Sequence, residues 1–195
     1  MMKRQLPLLL LVFCLFSRGA LIASTDEAEK RLKTAVNQVT EIAAHAPDRN
    51  ALAAGVKPTL QNILSFETMT RRAVGPGWRQ FTPEQQKEAV GLFTTLIIRT
   101  YTAKFTPGEL PSVTFKAASS PAPGRVEIPT TSSYKGSHYD VVYRLDESDD
   151  WRITDVVIEG VSMIANYRTQ FDAEFKQGGA EAVIKALNRS LATSK

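Results

Sequence analysis

Asp155 and Glu159 form the acidic pair whose spacing invites a chemical reading. They stand four residues apart in a strand-like stretch, so a regular strand puts both carboxylates on one face. Facing carboxylates in a small cavity can do general acid–base work. The competing reading is structural, with Asp155 on the solvent face and Glu159 orienting the turn that follows. It is preferred, because spacing fixes no histidine or tyrosine beside the pair. The histidines are His45, near the end of a helical stretch, and His138, after Gly136. Neither has metal-ligand spacing or a cysteine nearby, and both read as surface groups. There is no G-x-S-x-G elbow and no glycine-rich phosphate loop. Gly75-Pro76-Gly77 is a turn without the phosphate-binding pattern after it.

What the chain has in surplus is large apolar side chains. Phe66, Met69, Val74, Trp78, Phe93, Ile97, Tyr101, Tyr143, Ile158, Met163, Ile164, Tyr167 and Phe171 come from stretches expected to face one another. Such a set is usually core. A curved sheet roofed by helices is also a shape that can hold a ligand cavity. Periodicity does not decide between the two.

The elements that would position these residues follow from pattern. A first helix is expected over 26–44, with Ser24 and Glu27 as a capping box. A short irregular helix around Leu52 and Val56 follows, then one capped by Ser65 and stopped by Gly75-Pro76-Gly77. Thr82-Pro83-Glu84-Gln85 is a strong helix start, and the helix it opens, over 83–105, is the most apolar of all. Its apolar face is wider than packing against one neighbour requires. The period then changes to two. Val113, Phe115 and Ala117 suggest one strand, and Val126, Ile128 and Thr130 a second, which Pro129 assigns to an edge or bulge. Tyr139, Val141, Tyr143 and Leu145 suggest a third strand, and 151–159 a fourth beyond an acidic turn. Short connections imply antiparallel pairing. Gly160 turns the chain into a helix capped by Ser162, and Gly178-Gly179 separates it from a last helix. The expected class is α+β. N-terminal helices and two C-terminal helices pack on a curved four-stranded antiparallel sheet, a cystatin-like cone enclosing an apolar cavity.

The N-terminus reads as an export signal. Lys3 and Arg4 precede an apolar run over 6–16, and the small residues after it put a cut between about 19 and 24. This gives a leader over 1–23 and a single domain over 24–195. The run is too short for a membrane anchor, which takes about 20 residues. The whole chain carries +4, from 24 basic and 20 acidic residues; a cut after Gly19 removes Lys3, Arg4 and Arg18 and leaves 21 against 20. No basic stripe of the kind nucleic acids require is present. The single cysteine, Cys14, lies in the leader, and Phe13 before it argues against lipidation. The mature chain thus has no disulfide partner and no thiol nucleophile.

Three blocks of sequence resemble the MlaC family, the toluene-tolerance family of periplasmic phospholipid-binding proteins. One is 66–79, ending in Val74-Gly75-Pro76-Gly77-Trp78-Arg79. The next is Thr82-Pro83-Glu84-Gln85-Gln86 with 93–101. The third is 151–171, strand, Gly160 turn and Ser162-capped helix, with Gly178-Gly179 beyond. Their order and spacing make the likeness specific; the 119–125 loop does not contribute, and the proline-rich link after Phe105 is shorter than the helical extension usual in the family. The resemblance implies a soluble periplasmic shuttle with phospholipid as cargo, no other cofactor and no catalytic residues. The thirteen apolar residues above would line the lipid cavity, with the headgroup at its mouth. It further implies an outer-membrane lipoprotein complex and an inner-membrane ABC transporter with an MCE-domain ring as partners, in the upkeep of outer-membrane lipid asymmetry. Another lipid, such as a hopanoid, is the alternative cargo. Two other readings stay open: a small cavity enzyme using Asp155 or Glu159, and a secreted interaction module whose apolar surplus is only core.

Overall fold

The computed structural model describes residues 16–109, 111–148 and 150–193, with side chains from residue 25 onward. The leader expected over 1–23, Cys14 included, lies largely outside the described side chains. Helix α1, Phe16–His45, runs back through Ser24, so Ser24 is helical backbone and not a cap. Ala20, Leu21, Ile22 and Ala23 include good helix formers and continue the helix upstream. Asp48 then caps α2, Arg49–Ile63, accepting from the Ala51 N–H at 2.8 Å. This helix is longer and more regular than its Gly55 and Pro58 suggest, because Leu52, Val56 and Ile63 bury one continuous side.

Helix α3, Phe66–Val74, starts at Ser65 as expected, although the Ser65 side chain makes no capping bond. The glycine-proline turn is a short 3-10 helix, Gly75–Gln80. Helix α4, Pro83–Thr102, opens on a complete capping box. The Gln85 N–H donates to Thr82 Oγ1 at 3.2 Å and the Thr82 N–H to Gln85 Oε1 at 3.0 Å.

The sheet is antiparallel and has six strands, two more than expected. They are β1 Ser112–Phe115, β2 Ser119–Ala122, β3 Arg125–Tyr134, β4 Ser137–Glu147, β5 Trp151–Ile158 and β6 Val161–Ser162. The order is β1-β3-β4-β5-β6, with β2 also paired to β3. The additional strands are β2, which lies in the serine-proline loop, and the two-residue β6. Pro129 lies in an interior strand and not at an edge, the first of the two places expected for it; on that side the pairing breaks between β1 and β2. Its missing N–H falls where the neighbour passes from β1 to β2, and its carbonyl accepts from the Lys116 N–H at 2.9 Å. The proline therefore costs no ladder bond there.

Helix α5, Met163–Thr193, is broken into two arms at Gly178 and Gly179, whose backbones are not helical. The α+β class is thus as expected, with helices packed on an antiparallel sheet. The sheet's close backbone neighbours are α1, α2, α3 and α5, while those of α4 are α2, α3 and α5. The main core interlocks Leu32, Met69, Phe93, Val126, Ile128, Leu145 and Leu187, all fully buried. Each such side chain contributes about 1.5–3 kcal/mol on removal from water. A second, smaller cluster joins Ala43, Leu52 and Val56 with Phe105 packed against it.

Candidate functional site

On the inner face of the sheet, alternation aligns Tyr143 and Leu145 of β4 with Val156 and Ile153 of β5, and Val141 with Ile158. Leu145 and Ile153 are buried. Tyr143, Val156 and Ile158 keep accessible surface. Tyr101 on α4 and Tyr167 on α5 are likewise half-buried. Burial pushes the Tyr143 phenol pKa up, and the hydroxyl has no hydrogen-bond partner among the described residues. Burial also raises Tyr101 and Tyr167, with Tyr167 and then Asp155 adding to the shift of Tyr101, while a bond to Thr100 tempers that of Tyr167. Tyr101, Tyr143, Val156, Ile158 and Tyr167 are thus partly accessible where most of the apolar set is buried. At the α4 terminus Phe105 meets Tyr134 of β3 edge-on at 5.4 Å, and the Tyr134 hydroxyl accepts from the Thr106 N–H at 2.9 Å.

The apolar residues singled out in the sequence divide among three settings. Phe66, Met69, Val74, Phe93, Ile97, Met163, Ile164 and Phe171 are buried and belong to the main core. Within it Phe93 is packed edge-on by Tyr167 and Phe171 at 5.0 and 5.8 Å. Tyr101, Tyr143, Ile158 and Tyr167 are only partly buried. Trp78 joins a third group, tilted against Phe81 at 5.3 Å, with Phe175 stacked beyond at 6.2 Å. Val156 was missed: it lies between Ile153 and Ile158 in a strand whose alternation is interrupted.

The acidic pair is not brought together. β5 carries one extra residue, Thr154, between the pairs Leu145–Ile153 and Arg144–Asp155. Such a bulge turns the following side chains over, so Asp155 shares the outer face with Arg144 and Glu127. The expectation of a solvent-facing Asp155 fails all the same, because the start of α5 covers it to 7% exposure. One carboxylate oxygen accepts from the Ser162 hydroxyl at 2.7 Å and an Arg144 guanidinium N–H at 3.2 Å, the other from the Ile164 N–H at 3.1 Å. Ser162 Oγ in turn accepts from the Ala165 N–H at 3.0 Å, which is the expected cap. Asp155 thus stabilises the start of α5, where the orphan N–H groups favour an anion. Glu159 has left the strand: its φ is 50° and that of Gly160 is 76°, the paired left-handed residues of a tight hairpin. Its carboxylate accepts from the Asp140 N–H at 2.5 Å.

The histidines are exposed. His45 bonds the Glu41 carbonyl at 3.0 Å, and His138 bonds Ser133 Oγ at 2.7 Å. Among the described residues there is no group of three or more His, Cys, Asp or Glu side chains placed to hold a metal ion, and no helix long and apolar enough to cross a membrane.

The protein-family model described as MlaC protein matches residues 30–189. The chain belongs to the MlaC family. Among solved structures, it is similar to a phospholipid-binding protein from Ralstonia solanacearum in complex with a phospholipid. That likeness has a TM-score of 0.80 at 26% identity, over 86% of this chain and 98% of that one. Comparison with curated proteins gives no significant match. The MlaC match spans α1 from residue 30 to the second arm of α5.

Proposed function

We propose that this MlaC-family chain is a phospholipid carrier that holds acyl chains between α4, α5 and the inner face of the sheet. The observation that carries the reading is Tyr143, enclosed by protein yet accessible and unpartnered, on an apolar floor with Val156 and Ile158. A binding site there needs apolar walls and a few polar anchors, and the tyrosine hydroxyls supply the anchors. Membership of the MlaC family and the likeness to a phospholipid-bound structure support the same reading. Each buried methylene contributes about 0.8 kcal/mol, so two chains would be held firmly and release into water would be slow.

In this reading the chain is exported, its leader over 1–23 is removed, and the 24–195 domain works in the periplasm. It accepts lipid from an outer-membrane lipoprotein complex and delivers it to an inner-membrane ABC transporter, or the reverse. The thirteen apolar residues named from the sequence act in two ways: the accessible ones touch lipid and the buried ones hold the walls. No catalytic step is required of Asp155 or Glu159. The test is native mass spectrometry of the protein purified from the periplasm without detergent, with the released ligand identified by extraction. A bound mass of one diacyl phospholipid is expected. Protein that arrives free of lipid, and stays free after incubation with phospholipid vesicles, would refute the carrier reading.

A further inference from the structure

Where α3 and α5 meet the outer face of β4 and β5 lies a cleft of about 780 Å³. Four arginines line it, each from a different element: Arg72 of α3, Arg125 of β3, Arg144 of β4 and Arg168 of α5. Its carboxylates are already committed. Asp146 pairs with Arg72, while Glu127 and Asp155 both pair with Arg144, at 2.9 and 3.2 Å. Arg125 and Arg168 have no carboxylate partner among the described residues. Arg168 is nevertheless held in place. Its guanidinium lies on the bare backbone of Gly75, where a Cβ would come within 2.7 Å of it, and it donates to the Arg72 carbonyl at 3.4 Å. Gly75 also has a φ of 71°, a conformation that side chains rarely adopt. The cleft therefore presents two unpaired guanidiniums, Arg168 held and Arg125 exposed, and its four arginines outnumber its three carboxylates by one.

We propose that this cleft receives an acidic segment of the partner protein to which lipid is handed over. The proposal rests on the carrier reading. Charge complementarity sets the sign of the occupant. The layout sets its kind: the free guanidiniums come from separate elements, and the pair on Arg144 leaves no single focus for one small anion. An extended segment with several carboxylates matches that spread. The cleft is also linked to the lipid space. Arg144 holds Asp155, and Asp155 holds the first turn of α5, which carries Tyr167 on its other side. A carboxylate of the partner that competes for Arg144 acts on the joint between α5 and the sheet.

The test uses a fluorescent octaglutamate peptide and anisotropy on the protein purified from the periplasm. Binding that weakens with salt is expected for the native chain. Arg125→Glu with Arg168→Glu should raise the Kd about tenfold, whereas the charge-matched Lys176→Glu with Lys185→Glu, outside the cleft lining, should change it less than about twofold. If Arg168→Glu disturbs folding, Arg125→Glu alone should still give about a threefold loss, since that side chain bonds nothing. Equal losses in both double variants, or no peptide binding at low salt, overturn the proposal. So does a result in which the arginine pair governs binding to anionic phospholipid vesicles or inorganic phosphate and not to the peptide. Lipid content is measured on the same samples by native mass spectrometry. Lipid retained with peptide binding lost supports the docking site; native protein without lipid counts against the carrier reading alone.

Discussion

Leu145 and Tyr143 stand two residues apart on the same face of the same strand, and their surroundings differ in kind. Leu145 is fully buried, opposite Val126 on one side and Ile153 on the other. Leu64, at the α2–α3 junction, bridges to Ile153, and the Ser65 N–H donates to the Ile153 carbonyl at 2.9 Å, so helices are tied directly to that end of the sheet. Tyr143 is only partly buried, and α4, which carries Tyr101, has its close backbone contacts with other helices. One sheet face is thus closed core at one end and only partly covered at the other.

The largest effect should come from the closed end. Phe93→Ala removes a ring with no exposure, packed by Tyr167 and Phe171, and should cost about 3–5 kcal/mol. Urea unfolding measures it. A loss below about 1 kcal/mol would show that Phe93 belongs to the open end after all, since a void that already exists adds no new cavity term.

Asp155→Ala comes next, at about 1–3 kcal/mol, from the lost cap of α5 and the half-paired Arg144 left behind. Denaturant midpoints for Asp155→Ala and Glu159→Gln should separate widely, because the Glu159 carboxylate is exposed and the Asp155 carboxylate is not. Similar midpoints would remove the structural role given to Asp155. By contrast, Val156→Trp at the open end should change stability by less than about 1 kcal/mol, since the added volume meets space and not packed atoms. The same variant should lose its bound lipid in native mass spectrometry. Severe destabilisation by Val156→Trp would mean that the end called open is packed shut.

These contrasts were unevenly legible in the sequence. The start of α4 could be read from four residues, because a capping box is a local bond pattern between Thr82 and Gln85. The Ser162 cap and the glycine break in α5 were local in the same way. β2 was not legible: Ser119-Ser120-Pro121-Ala122 has the composition of a loop, and pairing with β3 makes it a strand. The fate of Asp155 depended on one extra residue, Thr154, whose effect exists only once β4 sets the register. The arginine cleft gathers positions 72, 125, 144 and 168 from four elements, a grouping that no spacing rule contains. The apolar surplus was visible as a set, but its division into buried and partly accessible residues depends on tertiary packing that no spacing contains.

The finest test separates the two ends by pH. Burial raises the Tyr143 pKa above its ordinary 10.0, so the folded state holds the neutral phenol more tightly than the unfolded chain does. The sign follows from linkage: this contribution is complete below pH 10, where both states are neutral, and is lost as pH rises through the folded value. Tyr101 and Tyr167 are raised too and give the same sign. Stability measured by urea unfolding should therefore fall above about pH 10, the point where an unfolded tyrosine ionises. Tyr143→Phe should flatten part of that fall while leaving neutral-pH stability within about 0.5 kcal/mol, because the hydroxyl bonds nothing in the protein. Bound lipid that covers the hydroxyl would deepen its desolvation, so the alkaline fall should be steeper in lipid-loaded protein than in protein stripped of lipid. Equal slopes would place the lipid away from Tyr143 and move the open end of the core elsewhere.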